Sequence, residues 1–113
     1  MNDELPAHDH RRLGKELDSE QGREATRIAA LNVLSAARKH LGSLDKVTKV
    51  VRLGVYLATE GDFFSQPKVA DAASDLFRDI FGEDKTSVRL VFGVASLPLG
   101  MPVELEVILE VKA

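Results

Sequence analysis

Residues 87–107, "SVRLVFGVASLPLGMPVELEV", decide the fold: they read as two apolar strands joined by a Pro/Gly turn, yet each strand carries charge. Side chains alternate along a strand. In the first strand, residues 87–95, this puts Val88, Leu90, Phe92 and Val94 on one face and Arg89, Val91, Gly93 and Ala95 on the other. In the second, residues 103–111, Val103, Leu105, Val107, Leu109 and Val111 oppose Glu104, Glu106, Ile108 and Glu110. Each strand therefore has one greasy side and one side bearing charge.

Upstream, "KVTKVVRLGVYLAT" (46–59) alternates Val47, Val51, Leu53, Val55 and Leu57 against Val50, Tyr56 and Ala58. Its β-branched and aromatic content predicts a strand, and apolar residues on both sides predict that it is central and covered on both faces. Two helices flank it. "DSEQGREATRIAALNVLSAARKHLG" (18–42) opens with Asp18 or Ser19 as cap, with Gln21 spaced as in a capping box. Ile28, Leu31, Leu34 and Leu41 form the expected apolar stripe, Arg38, Lys39 and His40 favour the carboxyl end, and Gly42 stops the helix. "GDFFSQPKVADAASDLFRDIFG" (61–82) predicts a second helix capped by Ser65, with Pro67 in its first turn and a staple between Phe64 and Val69. Its stripe is Val69, Ala73, Leu76, Phe77 and Ile80. Asp71 and Asp75 are expected on its solvated face, and Phe63, Phe77 and Phe81 in the core or an interface.

Two helices cover only one face of a sheet, so the face predicted to carry Arg89 and the glutamates must meet water or another subunit. Valine, glycine and alanine beside Arg89 favour the subunit. The chain should oligomerise.

Composition narrows the partners. In 113 residues the hydrophobic share of 44% suffices for one globular core, with a net charge of −3 spread over interspersed acids and bases. That is no footprint for nucleic acid. The chain has no cysteine, which excludes disulfides and thiolate metal sites. No apolar leader or membrane-length run is visible, so the expected location is cytoplasmic, with no membrane partner. Residues 1–12 read as a flexible tail, in which His8 and His10 are solvated rather than a metal pair, and residues 13–113 as one domain. There is no phosphate loop, nucleophile elbow, dinucleotide fingerprint or metal-ligand cluster, so no cofactor and no metal are expected.

An arginine eight residues before Leu97-Pro98, followed by a hydrophobic-Glu-hydrophobic-Glu strand, is the pattern of "VRLVFGVASLPLGMPVELEVILEV" (88–111). With the helices and strand before it, it resembles the YjgF/YER057c/UK114 family, also called the RidA or endoribonuclease L-PSP family, over about residues 13–111. The resemblance implies an α+β, chorismate-mutase-like (YjgF-like) mixed sheet with both helices on one face, assembled as a homotrimer with clefts between subunits. Family members usually begin with a strand hairpin. Nothing before Arg12 resembles one, so the final strand is expected at a sheet edge.

In the RidA branch, the resemblance implies that Arg89 holds the carboxylate of a 2-aminoacrylate-type enamine or imine and that Glu104 positions water for hydrolysis to a 2-keto acid and ammonia. Val91 would add a backbone N–H, and Gly93 would leave room for a small ligand. A guanidinium presents paired donors matched to a carboxylate, and a carboxylate beside the imine carbon can orient water and take its proton. The alternative is a non-catalytic trimer that binds small carboxylates. A ribonuclease has little support in an acidic chain with one tyrosine and no tryptophan.

Overall fold

A computed structural model describes residues 11–113. Helix α1 spans Ser19–Leu41, strand β1 Val47–Ala58, helix α2 Gln66–Phe81, strand β2 Thr86–Val94 and strand β3 Val103–Val111. The sheet order is β2-β1-β3, with β2 parallel and β3 antiparallel to β1. The sheet is therefore mixed, and β1 is central as its two-sided apolar pattern predicts. The strands of residues 87–107 do not pair with each other, because β1 lies between them. Among the described residues β3 has one neighbour and forms an edge, as expected.

Helix α1 begins as its sequence dictates. The Asp18 carboxylate accepts from the Gln21 N–H at 2.8 Å, and the Gln21 side chain accepts from the Asp18 N–H at 2.9 Å. Gly42 closes the helix at φ 86°, a left-handed conformation that glycine adopts without cost from a Cβ. The expected stripe is only partly right. Leu34 is buried, but Ile28 and Leu31 are 51% and 43% exposed, and Gly22, Thr26 and Ala30 form the buried line instead. Small residues lie inside because α1 packs tightly: a Cβ at Gly22 would sit 2.6 Å from Leu13 and 3.3 Å from Val69.

Helix α2 buries Val69, Ala73, Leu76 and Phe77 as expected, whereas Ile80 is exposed. Ser65 stands at the cap position without a side-chain bond, and Phe64 points into solvent, so the predicted cap bond and staple do not form. Phe77 is buried, and Phe63 and Phe81 pack partly against the core.

One face of the sheet receives both helices. Leu53, Val55 and Leu57 of β1 and Val103 of β3 are buried there, with Val91, Leu105 and Val107 packed against them. The other face has no covering layer among the described residues. Shifts in the β1–β3 register between Val47 and Lys49 and between Val50 and Arg52 turn Val50 inward and leave Val51 exposed. The expectation that Val51 continues the stripe of Leu53 fails for that reason.

The expected tail, 1–12, falls mostly outside the described residues, as do His8 and His10. Arg11 and Arg12 are described and tied down. The Arg11 N–H donates to the Gly100 carbonyl at 3.3 Å, and the Arg12 guanidinium meets Glu60 at 3.0 Å. Leu13, which carries no periodic signal, is fully buried and donates its N–H to the Ala58 carbonyl at 2.8 Å.

Phe77 is the largest fully enclosed side chain among the described residues. Phe77→Ala is expected to cost about 3–5 kcal/mol and Asp18→Ala about 1 kcal/mol, measured as shifts in urea unfolding. Equal losses in the two variants would contradict this account of the core.

Candidate functional site

Arg89 lies on β2, an edge strand among the described residues, and the register settles which way it points. The parallel ladder pairs Leu53 with Arg89, Val55 with Val91 and Leu57 with Gly93. Laddered partners share a face, so Arg89, Val91 and Gly93 lie on the side that the helices cover. There Arg89 reaches α2. Its Nη1 donates to Asp71 Oδ1 at 2.6 Å and to Ser74 Oγ at 3.1 Å.

The cleft around this cluster measures about 240 Å³, with Leu53 and Phe77 at its apolar base and Asp71, Ser74, Thr86 and Arg89 among its polar lining. Arg78 also lines it, held to Asp75 at 2.9 Å. Arg89 keeps 32% of its side chain exposed and Asp71 48%, so the pair is open to solvent and to an arriving anion. Such a site can bind a small carboxylate: the guanidinium supplies charge and directed donors, and the apolar base admits a short carbon skeleton.

Glu104 is elsewhere. The β1–β3 register pairs it with Tyr56 and pairs Glu106 with Gly54, which puts both carboxylates on the uncovered face. Glu104 borders a shallow hollow of about 210 Å³ with Leu97, Pro98, Leu99, Met101 and Val103. The expectation that Arg89 and the glutamates share one face is thus corrected: within one chain they stand on opposite sides of the sheet. Alternation assigns residues to two faces, but it does not say which face of one strand continues which face of the next. Register decides that.

Val91 and Gly93 are not in the Arg89 cleft. The Val91 side chain packs against the core, and a Cβ on Gly93 would approach Thr59 Oγ1 to 2.8 Å and Gln66 Nε2 to 3.0 Å. The space over Gly93 is therefore taken by side chains of the same chain. Asp71 and Ser74 are the residues that sequence reasoning misses. Their spacing puts them on one face of α2 beside the buried stripe, and that is the only local signal they carry.

On the uncovered face, Arg52 donates from Nε to Glu106 Oε1 at 2.8 Å, and this bond, with a smaller contribution from Tyr56, raises the Arg52 pKa above its ordinary value. Tyr56 and Phe92 stack at 5.5 Å between ring centres. Val88, Phe92 and Ile108 are 56%, 44% and 48% exposed. Among the described residues no group of three or more His, Asp or Glu side chains could hold a metal ion, and no helix is long and apolar enough to cross a membrane.

Known proteins share this fold. Residues 8–110 match the family described as "YjgF/chorismate_mutase-like, putative endoribonuclease". Protein TCP17 of Trypanosoma cruzi is 40% identical over 101 residues, covering 88% of this chain; the chain spans 63% of that relative's length. The crystal structure of Atu1372 from Agrobacterium tumefaciens, a protein of unknown function, superposes with a TM-score of 0.87 at 29% identity, over 93% of this chain and 68% of that one. A "putative endoribonuclease" from Shewanella oneidensis MR-1 superposes with a TM-score of 0.85 at 27% identity, over 92% and 69% of the two chains.

Because the Arg89–Asp71 pair is half open to water, removing it should change folding little. Arg89→Ala and Asp71→Ala are each expected to shift the unfolding free energy by less than about 1 kcal/mol in denaturant titration. A larger loss would mark the pair as a clamp between α2 and β2 rather than a binding group.

Proposed function

We propose that this chain, which belongs to the YjgF/chorismate-mutase-like family, is a RidA-like enamine/imine deaminase that hydrolyses 2-aminoacrylate-type intermediates to 2-keto acids and ammonia. The observation that carries the reading is Arg89 itself. It is a guanidinium on an edge strand, in a small cleft with an apolar base, open enough to receive an anion.

Arg89 anchors the substrate carboxylate through paired, charge-assisted hydrogen bonds. The enamine tautomerises to the imine, and a proton taken from solvent by its nitrogen makes the imine carbon electrophilic. Glu104 orients a water and takes its proton as oxygen bonds to that carbon; it passes that proton to the nitrogen of the resulting aminoalcohol, and the C–N bond breaks as the hydroxyl proton returns to solvent, releasing ammonia and leaving the keto acid. Since Arg89 and Glu104 lie on opposite faces of one sheet, the site needs Glu104 from a neighbouring copy. A homotrimer supplies it. The exposed apolar face, with Val88, Phe92 and Ile108, supports such an assembly, because apolar patches of this kind mark contact surfaces.

The same separation of Arg89 from Glu104 favours one other reading, a trimer that captures small carboxylates without turnover. Activity and binding divide the two. For the deaminase, ammonia release is expected from 2-aminoacrylate generated in place, abolished in Arg89→Ala and reduced about 100-fold or more in Glu104→Gln, with pyruvate binding kept in the second variant. Thermal stabilisation by pyruvate without ammonia release selects the binding protein. A chain that scatters as a monomer and is not stabilised by pyruvate rejects both.

A further inference from the structure

We infer that Asp71 and Ser74 are positioning residues, which hold the Arg89 guanidinium so that one chosen edge of it meets the ligand. This rests on the reading of Arg89 as a carboxylate anchor and assigns how that anchor is set. A guanidinium has five N–H donors: one on Nε and two on each Nη. Both donors of Nη1 are used, one by Asp71 Oδ1 at 2.6 Å and one by Ser74 Oγ at 3.1 Å. Nε and Nη2 meet no hydrogen-bond partner among the described residues. They form the side-on fork, two parallel donors matched to the two oxygens of a carboxylate. Saturating Nη1 therefore turns a flexible cation into a directed receptor whose remaining paired donors are those of the Nε–Nη2 edge.

The two partners act from one element. Asp71 and Ser74 are three positions apart on α2 and present neighbouring acceptors to the same nitrogen. Holding the long arginine side chain before the ligand arrives removes an ordering cost that binding would otherwise carry. Asp71 also has an opposing effect, because its negative charge repels an arriving carboxylate. Positioning and repulsion predict opposite signs when both acceptors are removed. That difference makes the role testable.

The experiment measures the dissociation constant of pyruvate by calorimetric titration for the wild-type chain and four variants. Asp71→Asn keeps an acceptor for Nη1 and loses the charge, so it should bind at least as tightly as wild type. The double variant Asp71→Ala/Ser74→Ala loses both acceptors and should bind about ten-fold more weakly although a repelling charge has gone. Ser74→Ala alone, which alters no charge, should bind about two- to three-fold more weakly and tests the same role if the double variant does not fold. Arg89→Ala should not bind. Equal or tighter binding by the double variant, or by Ser74→Ala in its place, overturns the positioning role while the Arg89 anchor stands. Unchanged binding by Arg89→Ala overturns the anchor and the positioning role together.

Discussion

The parallel pairing of β1 with β2, with Leu53 opposite Arg89, is the constraint on which the rest of the structure depends. A shift of one residue in that ladder would send Arg89 to the uncovered face and turn Val88 and Leu90 toward the helices. Held as it is, the ladder brings an arginine to the rim of the core. There α2 supplies a carboxylate and a hydroxyl to meet it. The cleft lies at a sheet edge: β2 has no neighbour on its outer side among the described residues, and Leu53 and Phe77 line the gap between β2 and α2.

The opposite face follows from the same ladder. With Leu53, Val55 and Leu57 committed to the helices, the other side of β1 and its neighbours shows Tyr56 stacked on Phe92, the Arg52–Glu106 pair and exposed Val88 and Ile108. A surface this apolar, crossed by one ion pair, suits contact with a second copy better than permanent exposure to water. It also carries Glu104. One chain thus displays Arg89 on one side of its sheet and Glu104 on the other.

Much of the fold is legible in the sequence, and the successes share a cause. The capping box of Asp18 and Gln21, the left-handed Gly42, the central place of β1 and the inward Val69, Ala73, Leu76 and Phe77 of α2 all follow from local rules acting over a few residues. The arginine, the Leu-Pro turn and the glutamate-bearing strand after them carry the family resemblance without any coordinate. The failures share a cause as well. Ile28 and Leu31 are apolar at helical spacing but exposed, because Gly22, Thr26 and Ala30 allow a closer approach of α1 to the rest of the core. Val51 leaves the stripe because the β1–β3 register shifts beside it. Asp71 reads as a solvated helix residue, since its partner lies on a strand beyond the next turn.

The sequence by itself determined which segments are helices and strands, and that two charged strands would border one turn, because helical periodicity and side-chain alternation are local. Only the tertiary structure decided which strand face meets the helices, and hence that Arg89 turns toward Asp71 and Ser74 while Glu104 turns away. That choice belongs to register between strands distant in the chain, and no short-range pattern encodes it.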